Sequence, residues 1–221
     1  GKRVLLLQGP LGPFFDRLRQ DMVNAGAIVT KVDFNGGDWL FSHGGSVAFT
    51  GRPEQWPAFF ARLLDERAID AVLLFGDCRP IHRVAHEIAA ARGIEVGVFE
   101  EGYVRPDYVT LERFGVNGHS LAPRDPAFYL ASGERITPPT RHVGNTFWHT
   151  VCWAMQYYAA SALLRPVYRH YVHHRPLELT EGLPWLRSIW RKQVFKWQER
   201  GIQASLASSL SRQYFLVALQ V

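Results

Sequence analysis

The stretch IEVGVFEEGYVRPDY, residues 94–108, indicates the fold class because it joins an apolar strand to a dense group of polar side chains. The run from Ile94 to Phe99 is typical of a strand that is buried in a parallel sheet. Two adjacent carboxylates, Glu100 and Glu101, stand where this strand should end. Ligands of open α/β sheets bind outside the carboxyl ends of the strands. The stretch therefore predicts one wall of a binding site.

The rest of the first 135 residues repeats an order of strand, turn and helix. Apolar periodicity predicts three further buried strands, at 4–8, 28–34 and 71–75, and helices at about 13–25, 53–68 and 80–92. Residues 108–112 alternate like an edge strand, and residues 44–51 are expected to form a small hairpin or loop. A repeated β-α-β order predicts an α/β domain over residues 1–135, with a parallel sheet and helices on both faces.

Two glycine-rich turns follow the first two predicted strands. Gly9 and Gly12 precede a helix, and a turn of this kind can hold an anion with its backbone N–H groups. Asn35 and Asp38 lie in an Asn-Gly-Gly turn. Asp38 either caps this turn, which is the favoured interpretation, or contacts a sugar hydroxyl.

A third polar turn, Gly76 to Pro80, follows the strand at 71–75. Asp77 or Cys78 is the expected N-cap of the next helix. His82 lies on the first turn of that helix and is expected to face the same cleft as Asp77 and Arg79. His82 and His86 are four residues apart, a spacing that can bind metal, but no third ligand of the right type is near in sequence and no metal is predicted.

Glu100 and Glu101 are successive strand residues, so their side chains should point to opposite sides and should not form one catalytic pair. Arg79 and Arg105 follow neighbouring predicted strands, and two guanidinium groups at one site suit a carboxylate or a phosphate. Carboxylates, a His, two Arg and aromatic rings favour glycosyl transfer from an activated acidic sugar. The alternative is an ordinary salt-bridge network between loops.

Composition limits the class of protein and its compartment. The chain has 221 residues, of which 47% are hydrophobic and 20% charged, as in globular proteins. Two Cys, Cys78 and Cys152, exclude a disulfide scaffold and favour a reducing compartment. The apolar start is too short for a signal peptide, so a cytoplasmic protein is expected.

The net charge of +5 arises in residues 141–200, which hold nine Lys or Arg and only three Glu. This segment is also rich in Trp and His, which predicts a surface for anions, while ordinary solvated helix faces are the alternative. Thr146 to Leu164 is long enough to span a bilayer, but its His, Gln and Tyr residues disfavour a span. We expect a basic aromatic helical segment over 141–212 and, at 214–221, the first strand of a truncated second α/β domain.

Several motifs, in the same order, resemble the capsule polysaccharide biosynthesis family of KpsS type. They are QGPLGPFF at 8–15, FNGGDW at 34–39, FGDCRP at 75–80, FEEGYVRPDYVTLE at 99–112, VNG at 116–118 and YFLVALQV at 214–221. The resemblance implies a Rossmann-like parallel-sheet domain of a GT-B-like glycosyltransferase, of which this chain is the N-terminal half.

The resemblance also implies an activity and its partners. Such a protein is a bacterial β-Kdo transferase that uses the sugar-nucleotide donor CMP-Kdo, has no cofactor, and acts on a phosphatidylglycerol-type lipid acceptor or on its first Kdo. It lies in the cytoplasm, peripheral to the inner membrane, on an anionic membrane surface, with other capsule synthesis and export proteins and no nucleic acid as partners. The alternative is a non-catalytic export or scaffold protein that binds lipid-linked glycan.

On this basis we expect catalytic roles for Glu101, Asp77 and His82. The expected substrate-binding residues are Gly9, Gly12, Asn35, Asp38, Arg79, Glu100, Tyr103 and Arg105. A sister group, KpsC-like, carries Asp where this chain has Glu101, so the resemblance leaves the role of Glu101 and the identity of the nucleophile open.

Overall fold

A computed structural model describes residues 1–102, 107–131, 133, 142–172 and 182–215. Tyr103 and Arg105, two of the predicted substrate-binding residues, lie outside the described residues. So does most of the strand that was expected at 214–221.

The core of the first part of the chain is a six-stranded sheet with the order β3-β2-β1-β4-β5-β6. Its strands are β1 Arg3–Leu6, β2 Ile28–Asp33, β3 Ser46–Ala48, β4 Ala71–Phe75, β5 Glu95–Glu101 and β6 Val109–Arg113. Neighbouring strands are parallel, except that β6 is antiparallel to β5. The expected α/β, Rossmann-like class is confirmed.

Helices connect the strands and continue after the sheet. They are α1 Phe14–Asn24, α2 Gly36–Leu40, α3 Trp56–Glu66, α4 Pro80–Ala91, α5 Pro126–Ala131, α6 Phe147–Leu163, α7 Gly182–Gln198 and α8 Ile202–Ala207. Two short 3₁₀ turns are Pro53–Gln55 and Asn117–His119. None of the helices within the described ranges combines the length and the apolar character that crossing a bilayer requires.

Alternate side chains of β1 and of the residue after it belong to two separate hydrophobic clusters. Leu5 and Leu7 pack in the cluster that contains side chains of α3 and α4, whereas Val4 and Leu6 pack in the cluster of Phe15 on α1. Because successive side chains of a strand point to opposite faces, β1 is buried on both faces of the sheet. Helices therefore cover both faces, and the open positions lie at the strand ends.

The two edges of the sheet differ in how well the sequence predicted them. The alternating residues near 108–112 form the antiparallel edge strand β6, as expected. The hairpin or loop expected at 44–51 is wrong in part, because Ser46–Ala48 pairs in parallel with β2 as strand β3. This strand has only three residues, too few for a recognisable alternation.

The chain forms two compact units, residues 1–172 and 173–221. In the first unit, α6 packs against α2. In the second unit, the described residues are 182–215, which include α7 and α8. The domain boundaries expected from the sequence stay predictions.

Candidate functional site

The crevice between the carboxyl ends of β1 and β4 is the place where the strand order reverses. The chain leaves β1 toward β2 and β3 on one side and returns to β4 on the other side. Such a reversal is where open α/β sheets bind their ligands. The guanidinium group of Arg79 lies here and donates to Gln8 Oε1 at 2.8 Å and to the Gly9 carbonyl oxygen at 3.4 Å. Arg79 thus joins the loops that follow β1 and β4.

Gly9 and Gly12 let the loop after β1 pack closely against helices. A Cβ atom on Gly9 would lie 2.8 Å from the ring of Phe15. Gly12 has φ +103°, and a Cβ atom there would lie 3.1 Å from the ring of Trp153 on α6. The two glycines therefore have a packing role, whether or not the turn also holds an anion as predicted.

Five polar side chains at the ends of β1 and β2 form a connected set that we call the Gln8 network: Gln8, Asn35, Asp38, Tyr157 and Tyr171. Gln8 Nε2 donates to Asp38 Oδ2 at 2.9 Å and to the Tyr171 hydroxyl at 2.8 Å. The Tyr157 hydroxyl donates to Asp38 Oδ1 at 3.2 Å and accepts from Asn35 Nδ2 at 2.8 Å. All five are buried or half-buried, so this network lies beneath the surface.

The Asn-Gly-Gly turn begins the short helix α2. Asn35 is its N-cap and accepts from the Asp38 N–H at 2.9 Å, so Asn35, and not the favoured Asp38, caps this turn. A Cβ atom on Gly36 would lie 2.1 Å from the Ala160 carbonyl oxygen, and one on Gly37 would lie 2.3 Å from the ring of Tyr157. The two glycines therefore allow α2 and α6 to approach each other closely.

Burial determines the protonation behaviour of the Gln8 network. Burial raises the pKa of Asp38, although Lys31 and the hydrogen bond from Gln8 oppose this. Burial also raises the pKa of Tyr157, and the negative charge of Asp38 adds to the effect. The pKa of Tyr168 is raised to about 12 by burial and by Asp33 and Asp38. The tyrosines therefore remain hydroxyl donors at neutral pH.

A second polar group, which we call the β4–β5 cluster, lies at the ends of the next two strands: Asp77, Cys78, Glu100, Asn117 and His119. Asp77 Oδ2 accepts from the Val116 N–H at 3.2 Å and from His119 Nδ1 at 3.1 Å. Asn117 Nδ2 donates to Glu100 Oε2 at 3.3 Å. The 3₁₀ turn after β6 therefore contacts carboxylates from two parallel strands.

Asp77 is held as an anion by the donors around it. Burial opposes ionisation, but the Val116 N–H, the Cys78 thiol and His119 together lower the pKa of Asp77. The hydrogen bond to Asp77 raises the pKa of the Cys78 thiol in turn. The side chain of His119 is 69% exposed, whereas that of Asp77 is only 12% exposed. Within the cluster, the carboxylate of Asp77 is therefore fixed in position, and it is hydrogen-bonded to the exposed imidazole of His119.

The two glutamates of the opening stretch differ in position. Both belong to β5, where Glu100 pairs with Thr110 and Glu101 with Val109. Glu100 Oε1 accepts from the Glu101 N–H at 2.9 Å, and its other oxygen meets Asn117 in the β4–β5 cluster. The structure therefore brings Glu100 to the group of Asp77, and strand alternation directs Glu101 to the opposite face.

His82 is fully buried at the start of α4. Its Nδ1 lies 2.6 Å from the Gly76 carbonyl oxygen and donates to it, and Nε2 has no hydrogen-bond partner among the described residues. Burial, with Arg79 nearby, lowers the pKa of His82 to about 3, so the imidazole is neutral. A catalytic role for His82 would require this site to open, and that role stays a prediction.

The N-cap expected at Asp77 or Cys78 is wrong. Arg79 occupies the N-cap position of α4 and makes no side-chain capping bond. Asp77 is instead engaged by Val116 and His119, which come from the loop after β6. A distant donor has therefore replaced the local one.

Sequence reasoning missed Gln8, Asn117, His119, Tyr157 and Tyr171. A polar residue directly after an apolar strand was a usable signal for Gln8. The Asn-Gly turn marked a bend at 117–118, but nothing local indicates that it lies beside Asp77. Within the described residues, the side chains of Asp77, Cys78 and His119 also place possible metal-ligand atoms within 4.8 Å of one another.

Comparison with known proteins identifies relatives along the whole chain. The family described as capsule polysaccharide biosynthesis protein matches residues 70–221. The chain is 37% identical over its full length to the Escherichia coli capsule polysaccharide export protein KpsS, of which it covers 57%. It is 34% identical to the capsule polysaccharide modification protein LipB of Neisseria meningitidis serogroups A and B, of which it covers 54%. The chain thus spans slightly more than half the length of these relatives.

Proposed function

Because this chain belongs to the capsule polysaccharide biosynthesis family, we propose that the full-length protein is a glycosyltransferase of capsule synthesis. The donor is CMP-Kdo, and the acceptor is a phosphatidylglycerol-type lipid or its first Kdo. The described sheet would be one Rossmann-like domain of a GT-B-like enzyme, and the reaction would need no metal or other cofactor. Two relatives are named capsule polysaccharide export protein and capsule polysaccharide modification protein, which supports a role in capsule synthesis.

One observation supports a catalytic site above all others. Two carboxylate side chains, those of Asp77 just after β4 and of Glu100 near the end of β5, contact the turn that holds His119, next to the crevice that Arg79 borders. Transfer of an acidic sugar needs cationic groups for its carboxylate and for the leaving phosphate, and it needs groups that move protons. The strand ends that hold Asp77, Glu100, His119 and Arg79 provide both a cationic group and groups that can move protons.

The membrane side of the proposal rests on α7. Its exposed side chains include Ile189, Trp190 and Trp197. A cavity beside the helix is lined by Pro184, Arg187, Ser188, Arg191, Lys192 and Phe195. Basic and aromatic side chains on one helix favour the interface of an anionic bilayer. These side chains support the proposal that the protein is peripheral to the cytoplasmic face of the inner membrane, where its lipid acceptor would lie.

A second candidate function follows from the name of one relative, the capsule polysaccharide export protein. In that case the full-length protein would bind lipid-linked glycan beside other capsule export proteins and would transfer no sugar. Such a role needs the basic helix but does not need Glu101, Asp77 or His119.

Product formation distinguishes the two functions. The full-length protein is incubated with CMP-Kdo and phosphatidylglycerol in vesicles, and Kdo-bearing lipid is detected by mass spectrometry. We expect product with the wild type, loss of product with Glu101→Gln, and less product when salt is raised, because salt screens the attraction between the basic helix and the anionic vesicle. Retained activity in Glu101→Gln would remove the role of Glu101. Binding of lipid-linked glycan without any product would establish the export function.

A further inference from the structure

The β4–β5 cluster contains one exposed imidazole, that of His119, which no motif of the sequence marked. Its Nδ1 lies 3.1 Å from Asp77 Oδ2, and most of its side chain is exposed. Because a carboxylate oxygen accepts hydrogen bonds, Nδ1 is the nitrogen that donates to Asp77, and Nε2 is left to accept. Among the described residues Nε2 makes no hydrogen bond. A carboxylate that fixes the tautomer of an accessible imidazole is the arrangement of a general base.

We propose that His119 is the general base for the acceptor hydroxyl and that Asp77 is its positioning residue, an inference that rests on the proposed function. In the transfer step, the acceptor oxygen bonds to the anomeric carbon of the sugar. The bond from that carbon to its leaving oxygen breaks, and the electron pair stays on that oxygen. The proton of the acceptor hydroxyl moves to His119 Nε2. No other reactant is required.

Two further contacts fix the position of this pair. The Val116 N–H donates to the same oxygen of Asp77 that accepts from His119, which leaves the carboxylate little freedom to rotate. Asn117, between Val116 and His119, has φ +53° and bonds to Glu100. Asn tolerates this left-handed conformation better than most residues. The turn that carries the imidazole is therefore held to both strand ends.

The carboxylates of the β4–β5 cluster come from two other elements. Asp77 follows β4, and Glu100 comes from β5. Both carboxylates would stabilise the imidazolium that forms when His119 takes the proton. Glu100 would also repel a donor phosphate, so the geometry assigns this end of the cleft to the neutral acceptor hydroxyl and not to the nucleotide.

The test uses the full-length protein in the vesicle assay, with two substitutions at one position. His119→Gln keeps an N–H donor for Asp77 but accepts no proton, and we expect kcat to fall about 10²- to 10⁴-fold with little change in KM. His119→Ala should lose a similar factor, and added imidazole should restore part of its activity because a free base can occupy the vacated space. Asp77→Asn should also lower kcat, by up to about 10⁴-fold, since an amide does not fix the required tautomer.

His43 provides the matched control. Its Nδ1 bonds to Asp16 at 2.9 Å, and its side chain is 71% exposed, so it is, like His119, an exposed imidazole bonded to a carboxylate. We expect His43→Ala to keep wild-type kcat with or without imidazole.

Three results would overturn the inference while the wild type still makes product. One is activity in His119→Gln within about threefold of wild type, below the range of general-base catalysis. Another is loss of activity without imidazole rescue, together with a lowered unfolding midpoint, which would make His119 a structural tether. The third is loss of wild-type activity on chelation and its return with zinc, which would assign Asp77, Cys78 and His119 to a cation. A wild type without product would overturn the proposed function and, with it, the inference.

Discussion

The two halves of the carboxyl edge of the sheet carry similar polar residues and use them differently. At the ends of β1 and β2, the Gln8 network is covered by α6, and its donors and acceptors bond to one another. At the ends of β4 and β5, the β4–β5 cluster holds an exposed His119 and a half-buried Glu100. Polar residues after a strand therefore do not by themselves identify a ligand site.

The difference follows from what packs over each half. In the first half, α2 and α6 meet at Gly36 and Gly37, and the covering helix supplies Tyr157 as a partner. A polar group that is removed from water must be hydrogen-bonded, so these side chains satisfy one another. In the second half, the described part of the chain brings a short 3₁₀ turn to the strand ends, and Cys78, Asn117 and His119 remain exposed. Stability should therefore depend on the first half and chemistry on the second.

The largest expected effect compares one carboxylate from each half. Asp38→Ala leaves the Gln8 amide, the Phe34 N–H and the Tyr157 hydroxyl without their acceptor in the interior, and should cost about 3–5 kcal/mol of unfolding free energy. Asp77→Ala should cost only about 1–2 kcal/mol, because two of its three donors belong to the exposed residues Cys78 and His119. Urea unfolding of the full-length protein measures both. Equal losses would show that the two halves do not differ in this way.

A somewhat smaller effect is expected where the covering helix meets the first half. Gly36→Ala places a Cβ atom 2.1 Å from the Ala160 carbonyl oxygen, so α6 must move, at a cost of about 3 kcal/mol. Gly118→Ala is the matched control in the second half, because a Cβ atom there meets nothing within 4 Å. Thermal unfolding should show a lower Tm for the first variant alone. A Tm for Gly36→Ala that equals that of the control would refute the close approach of α2 and α6.

The smallest of the three effects is a pH dependence of stability that arises from the buried His82 in the second half. His82 has a folded-state pKa of about 3, below the ordinary 6.5, so the unfolded chain takes up a proton first as pH falls. This contribution to stability is complete above pH 6.5 and declines toward pH 3, by about 2 kcal/mol between pH 6.5 and 5.

His82→Gln is the control for this pH dependence. Its amide can still donate to the Gly76 carbonyl oxygen but does not titrate, so the difference between the wild type and the variant should shrink as pH falls. Urea unfolding at pH 6.5 and pH 5 measures that difference. A difference that does not change with pH would show that His82 is not buried as a neutral imidazole.

Much of the architecture could be predicted from the sequence because strands and helices have local periods. The apolar runs of β1, β2, β4 and β5 and the alternation of β6 were recognisable within a few residues. The three residues of β3 were not, because so short a strand has no period of its own. The glycines were also recognisable, but their structural role was not. Gly36 and Gly37 allow close contact with α6, a helix more than 100 residues later in the chain.

By itself, the sequence determined the α/β fold, the family and the sheet edge at which polar residues collect. All three depend on short runs of neighbouring residues, which can be recognised in the sequence without the structure. Only the tertiary structure decided which polar residues the interior uses and which remain accessible. Asp38 is buried by Tyr157, which lies 119 positions later in the chain. Asp77 is joined to His119, which lies 42 positions later. Such pairings depend on how helices and loops pack over the sheet, and no local pattern of residues encodes them.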